Sequence, residues 1–202
     1  MSSLIMSKER VMEVLRRSGA YREGHFEHPQ GFHTPEYFQM PLAMRYADNA
    51  RVLSVSLSRM LRRSRELLAA LPQVSIVSPG SGGVPVAFEI RHVLGAEQFF
   101  WAERENGEVR FRQYNEIKPG QKCVIVDDIV RTGGTINEVH RMITEAGGEV
   151  LAIGVLVRHD LSRVDVPDVP IYALLDFDAV RYESKATCPL CAEGVPVERV
   201  RF

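Results

Sequence analysis

Hydrophobic positions along the chain follow two patterns, and each predicts a different element. Short, nearly solid apolar runs lie at Val74–Ser78, Glu97–Ala102, Cys123–Asp127, Val150–Val157 and Ile171–Leu175, which reads as a set of buried strands. Apolar residues return at helical spacing in Ser7–Ser18, where Val11, Val14 and Leu15 share a face, Ser7 can cap and Gly19 ends the turn. The same spacing predicts one or two helices within Pro41–Leu71, a helix over Val84–Leu94, and another from the turn after Asp128 to about Ala146, stopped by Gly147-Gly148. Two stretches carry neither pattern: Gly24–Gln39, irregular and rich in aromatics, and Glu103–Lys118, a charged excursion. Strands alternating with helices of these lengths predict an α/β fold, a mostly parallel sheet flanked by helices.

The most informative segment is Lys122–Thr135. Four of the five residues from Cys123 to Asp127 are apolar, and the run breaks at Asp127-Asp128. This predicts a buried parallel strand whose carboxyl edge carries two acids. Arg131-Thr-Gly-Gly-Thr135 then opens a helix, with Thr135 placed to cap it. Small residues there let backbone N–H groups close around an anion at a helix N-terminus. Two acids beside an anion cradle would repel a bare phosphate. They suit a ligand with a phosphate at one end and hydroxyls or a metal at the other, as in a ribose 5-phosphate. Ser78-Pro-Gly-Ser-Gly-Gly83 is a second glycine-rich turn from strand to helix. Ligands of such sheets bind beyond the carboxyl ends of the strands. Four segments converge there: Pro79–Gly83, Glu103–Lys118, Asp127–Thr135 and Arg158-His159-Asp160.

Composition narrows the class. A chain of 202 residues suits one domain with a sizeable core, and a formal net charge of -1 leaves no basic footprint for nucleic acid. The densest basic cluster, Arg59, Arg62, Arg63 and Arg65, reads as the solvated face of an amphipathic helix with Leu57, Met60, Leu61, Leu67 and Leu68. No apolar run reaches the length of a membrane span, and Met1–Arg10 lacks a signal-peptide core. Three cysteines do not make a disulfide framework, so a reducing cytoplasm is expected. Cys188-Pro-Leu-Cys191 is half of a zinc site, but zinc normally takes four ligands and there is no second such pair. The expectation is a structural, metal-free thiol pair, with zinc shared across a dimer as the alternative.

Taken in order, these motifs resemble the type I phosphoribosyltransferases, which use 5-phosphoribosyl 1-diphosphate (PRPP), and within them the bacterial orotate phosphoribosyltransferases. The likeness runs from about Gly24 to Pro196. It includes Ala102-Glu-Arg104, Glu116-Ile-Lys-Pro-Gly120 and the tail Cys188-Pro-Leu-Cys191. The resemblance implies a single domain over residues 1–202. About 1–45 would cover the base site, and about 70–180 would bind PRPP. It assigns catalysis to Arg104, Asp127 and Asp128. PRPP would be held by Ser81, Gly82, Arg104, Arg112, Asp127, Asp128, Ile129, Val130, Arg131, Thr132, Gly133, Gly134 and Thr135, with Arg110 behind them. It assigns the base to His33, Tyr37, Arg131, Arg158 and His159. Mg²⁺ would enter with PRPP near Asp127 and Asp128, and the mobile loop after Arg104 would close over PRPP, often across a homodimer.

The implied reaction makes orotidine 5′-phosphate from orotate, a step of pyrimidine biosynthesis. Three positions depart from the orotate pattern: Gln30 replaces a Ser, Arg131 a Thr, and Arg158-His159 an Asp-Arg pair. These leave two alternatives open, a different acceptor base as in purine salvage, or a regulator that binds PRPP or nucleotide without turnover.

Overall fold

The computed structural model describes residues 5–111, 116–160 and 162–200. Helix α1 (Lys8–Ser18) begins where the Ser7 hydroxyl accepts a hydrogen bond from the Arg10 N–H, and ends at Gly19 with φ 75°. The stretch expected to be irregular is instead a hairpin, β1 (Tyr21–Glu27) and β2 (His33–Phe38), paired antiparallel. Its register slips between Glu23 and Phe26, a bulge at Gly24-His25. That bulge erases the period-two alternation a strand needs to be legible.

Three helices follow, α2 (Pro41–Met44), α3 (Ala47–Leu61) and α4 (Arg65–Ala70). The arginine cluster therefore does not lie on one helix. Ser64 starts α4 by accepting from the Leu67 N–H at 3.1 Å, and Arg62 donates to the carbonyls of Val93 and Leu94 at 3.3 and 3.2 Å.

The central sheet is built from β3 (Ser75–Ser78), β4 (Gln98–Glu105), β5 (Glu108–Phe111), β6 (Lys122–Val130), β7 (Glu149–His159) and β8 (Ile171–Phe177). Its order is β5-β4-β3-β6-β7-β8, parallel throughout except for β5. Helix α5 (Val84–Leu94) connects β3 to β4, and α6 (Gly134–Glu145) connects β6 to β7. The two faces of the sheet bury separate cores. On one, α3 lays Leu53, Leu57 and Leu61 with Val124 and Val126; on the other, α6 lays Ile136, Val139 and Ile143 with Cys123 and Ile125. Each such fully buried side chain contributes roughly 1.5–3 kcal/mol. Gly154 lets α3 approach β7, since a Cβ there would lie 3.2 Å from Leu61.

After β8 the chain makes α7 (Pro189–Ala192) and β9 (Glu198–Arg199), which adds in parallel to β1. The small sheet β2-β1-β9 thus joins the two ends of the chain. The cover expected from residues 1–45 is completed by the C-terminal tail.

Candidate active site

From β3 the chain moves outward to β4, and from β6 it moves the other way to β7, so a crevice opens between the carboxyl ends of β3 and β6. A cavity of about 560 Å³ occupies it, walled by Asp127–Val130 at the end of β6, the turn Arg131–Thr135, Ser81-Gly82, and Tyr37-Phe38 from the cover. Strand β6 runs past the two acids to Val130, with Asp127 opposite Val155 and Ile129 opposite Val157. Sequence placed the strand's end at the acids because polarity breaks there; backbone pairing does not.

Asp128 is buried, and its Oδ1 accepts from the Ile129 N–H at 2.9 Å; Asp127 Oδ1 accepts from the Asp128 N–H at 2.9 Å. Burial, and then the Asp128 charge, pushes the Asp127 carboxyl well above the ordinary carboxylate range. Burial raises Asp128 too, opposed by hydrogen bonds and by the Arg131 charge. The pair therefore titrates as a unit and holds a proton more tightly than free carboxylates do. The β3 turn presses against it. A Cβ on Gly83 would lie 2.5 Å from Asp127 Oδ1, and one on Gly82 would lie 3.2 Å from Asp128 Oδ1.

The second turn is fixed from outside. Gly133 has φ 80°, and a Cβ there would lie 2.8 Å from the backbone of Arg163 and Val164. The Arg163 N–H donates to the Thr132 carbonyl at 3.0 Å, and Asn137 Nδ2 donates to the Arg163 carbonyl at 2.9 Å. Helix α6 starts at Gly134 with Gly133 as its cap and no side-chain cap hydrogen bond. Thr135, expected to cap, is instead inside the first turn. Among the described residues, no side chain caps the leading N–H groups of α6, as an anion site requires.

A second cavity of about 580 Å³ adjoins the first and shares Tyr37, Phe38, Arg131 and Thr132 with it. Arg131 sits at the junction. Its Nη2 donates to the Phe38 carbonyl at 3.1 Å, and its guanidinium carbon lies 6.0 Å from the Tyr37 ring centroid. His159 packs against Phe38 at 5.6 Å and Phe177 at 5.8 Å between ring centroids. Its Nε2 is buried with no hydrogen-bond partner among the described residues, and burial, with the Arg131 charge, lowers its pKa to about 4. His28, on the same wall, donates from Nε2 to Thr34 Oγ1 at 3.0 Å, since that hydroxyl gives its own proton to the Glu36 carbonyl, and its pKa is lowered to about 4 by burial and then by Arg131. Both imidazoles are neutral at physiological pH. The junction therefore combines aromatic walls, the Arg131 guanidinium and two buried ring nitrogens, His159 Nε2 and His28 Nδ1, that have no partner among the described residues.

An acidic pair, an uncapped helix start and a glycine turn have converged on one crevice, and comparison with known proteins gives that combination a family. Residues 56–179 match the phosphoribosyl transferase domain. The orotate phosphoribosyltransferase of Heliobacterium modesticaldum is 35% identical over 95% of this chain and 96% of its own length. That of Carboxydothermus hydrogenoformans is 38% identical over 88% of this chain and 89% of its own. The chain belongs to the orotate phosphoribosyltransferase family. Among solved structures, orotate phosphoribosyltransferase from Aeropyrum pernix superposes with a TM-score of 0.65 at 19% identity, covering 83% of this chain and 93% of that one, which shows the shared fold.

Within this family member, the PRPP residues expected from sequence come together: Ser81, Gly82 and the whole run Asp127–Thr135 line the first cavity, as does Tyr37. His159 lines the second. Others are placed away from both cavities. His33 is buried, with Nδ1 2.7 Å from His25 Nε2, and lines neither cavity. Arg158 is bound to Asp176 at 2.7 Å and also lines neither, because β7 points successive side chains to opposite faces and His159 takes the inward position.

Arg104 lies on the β4–β5 hairpin, donating to the Gly107 carbonyl at 2.6 Å and to Glu138 at 2.8 Å; it does not line the cavity. The hairpin turns at Asn106-Gly107, both with positive φ, and Arg110 is paired with Glu108. Arg112 lies outside the described residues. Sequence reasoning missed Phe38, His28 and Phe177. The aromatic pair Tyr37-Phe38 was visible, but contact with β8 depends on the fold.

Proposed function

We propose that the protein transfers ribose 5-phosphate from PRPP to orotate, releasing pyrophosphate and forming orotidine 5′-phosphate. The observation that carries this reading is the acidic pair lying in the same cavity as the uncapped start of α6. Backbone N–H groups of the Thr132–Thr135 turn take the 5-phosphate, and Asp127 and Asp128 take the ribose hydroxyls. The bond from ribose C1 to pyrophosphate breaks as the base nitrogen attacks that carbon. No side chain is used as a nucleophile, so catalysis comes from positioning and charge. The all-oxygen donor set of the acid pair, with its raised carboxyl, suits a hard cation; Asp127 and Asp128 would hold Mg²⁺, which supplies charge neutralisation to the pyrophosphate.

The base lies at the junction of the two cavities. Orotate is a planar anion, and the Arg131 guanidinium fork matches its carboxylate while Tyr37 and Phe38 offer ring faces. Neutral His159 offers its Nε2 to the base edge. Arg131→Thr, although it restores the residue that the orotate pattern carries, is expected to lower orotate use at least tenfold. Steady-state pyrophosphate release at saturating PRPP and Mg²⁺, with orotate, uracil, hypoxanthine, guanine, xanthine and adenine, tests both points. A purine preferred over orotate by a hundredfold would retain the transferase and remove orotate. PRPP binding without release for any base would make the protein a PRPP-binding regulator.

Arg104 is the cation we assign to the departing pyrophosphate. It must first leave Glu138, and an ion pair whose side chains are 45% and 37% exposed is weak enough to exchange. Arg104→Ala is therefore expected to lower kcat by about a hundredfold while changing the KM for orotate little. Equal changes in both would place Arg104 outside the chemical step.

We further infer a homodimer in a cytoplasmic setting. An aromatic row that reaches the surface at Phe88 supports the dimer: exposed Phe88 meets half-buried Phe99 edge-on at 6.0 Å, and Phe99 stacks on half-buried Trp101 at 5.7 Å. Among the described residues, no helix is long and apolar enough to cross a membrane.

A further inference from the structure

We propose that His25, His33, Cys188 and Cys191 form a structural zinc site that fastens the C-terminal tail to the cover of the active site. The donor atoms of these four residues all lie within 4.8 Å of one another. They come from distant parts of one chain: His25 in the bulge of β1, His33 at the start of β2, Cys188 as the cap of α7 and Cys191 within α7. The thiol pair lacked two ligands in sequence because histidines supply them, and no second subunit is needed.

Three of the six donor–donor edges already have the length a tetrahedral site needs. Cys188 Sγ and Cys191 Sγ each lie 3.5 Å from His25 Nε2, and Cys191 Sγ lies 3.5 Å from His33 Nδ1. Zinc bonded to sulfur and nitrogen at their usual lengths sets that edge at about 3.5 Å. The two ring nitrogens, now 2.7 Å apart, would separate by roughly 0.6 Å to bind the same ion.

The second observation is the support behind His25. Its Nδ1 lies 2.8 Å from the Val195 carbonyl, which can only accept, so Nδ1 carries the proton and Nε2 turns a lone pair inward. A ligating histidine held by a backbone carbonyl in this way is the usual outer shell of a zinc site. One lone pair cannot satisfy two thiols and an imidazole at once; a divalent cation can. Binding releases the two thiol protons, and two thiolates then balance the charge of Zn²⁺.

The site is closed by four protein ligands, which fits a structural ion with no open position for substrate. Its task follows from the tail's other attachments, which are short or solvent-facing. Strand β9 has only 2 residues, its ion pairs Arg22–Glu198 and Arg199–Glu27 reach solvent, and among the described residues the buried apolar cluster there is Phe26, Tyr37 and Val200. Tyr37 and Phe38, at the far end of the hairpin that carries both histidines, reach the cavity. The ion would thus fix the strand that presents the aromatic wall.

The inference does not rest on the proposed reaction, and its test reads metal. Protein purified from zinc-supplemented medium and desalted is expected to carry about one zinc per chain by elemental analysis. Metal-stripped wild type titrated with Co²⁺ is expected to show the intense visible bands of tetrahedral thiolate coordination, displaced by Zn²⁺. His25→Ala should weaken Co²⁺ binding at least tenfold, and Cys188→Ser with Cys191→Ser should abolish it. Stripping the wild type should lower its melting temperature, and zinc should restore it. Wild-type protein without stoichiometric zinc and without cobalt–thiolate bands would overturn the proposal, and that result does not depend on any variant folding. Full Co²⁺ affinity in His25→Ala would overturn the ligand set.

Discussion

Replacing Asp128 by Asn is expected to cut the rate of pyrophosphate release at least tenfold, and Asp127→Asn to do the same, with the fold intact in both. Each carboxylate stands at the wall of the PRPP cavity, and losing one charge-assisted hydrogen bond there costs about 1.5–3 kcal/mol, or roughly ten- to a hundredfold in rate. The stability of Asp127→Asn separates function from fold. Burial raises the Asp127 carboxyl well above its ordinary value, so the folded protein binds that proton more tightly than the unfolded chain does. The corresponding stability is complete below the ordinary carboxylate value, about 3.9, and is lost as pH rises through the folded one. Asn is neutral at every pH, and its carbonyl can still accept from the Asp128 N–H. Asp127→Asn should therefore melt higher than wild type at neutral pH, with the gap closing as pH falls through that window. Melting curves across pH that run parallel for the two proteins would show that Asp127 is not strained as a free carboxylate. Wild-type kinetics in both variants would remove the ribose assignment.

Gly133→Ala is expected to weaken PRPP binding at least tenfold. A side chain at φ 80° costs about 1–2 kcal/mol, and its Cβ would meet the backbone of Arg163 and Val164 at 2.8 Å. Backbone cannot swing aside as the end of a long side chain can, so overpacking adds about 1–3 kcal/mol. The turn must shift, and with it the N–H groups at the start of α6. Gly95→Ala is the control: φ is 73°, but nothing lies within 4 Å of the added Cβ. It carries the backbone strain and should leave PRPP affinity unchanged. Calorimetric titration with PRPP and Mg²⁺ reads both. Equal affinities would mean that the cradle does not depend on the clamp formed by Arg163 and Val164.

The two predictions rest on different kinds of legibility. The apolar run into Asp127-Asp128 and the turn Arg131–Thr135 were readable because strand burial, paired charge and glycine geometry are local properties of consecutive residues. So were α1, with its Ser7 cap and Gly19 stop, and α5, whose bounds match the pattern. The base site was not readable in the same way. Arg158 and His159 are neighbours in sequence with one polarity break, and only the strand's facing decides that His159 goes inward and Arg158 pairs with Asp176. His33 shares a strand with Tyr37, yet the two serve opposite ends of the hairpin.

The sequence by itself determined the α/β sheet, the acid pair at its carboxyl edge and the anion turn beside it, since each is written in a contiguous run whose chemistry is short-range. Only the tertiary structure decided which cations reach the cavity, that Arg104 rests on Glu138, and that the two ends of the chain form one small sheet. It also decided that two histidines meet Cys188 and Cys191 across more than 150 residues of chain. Those contacts depend on loop closure over long separations, which the packing of the whole chain fixes and no local pattern encodes.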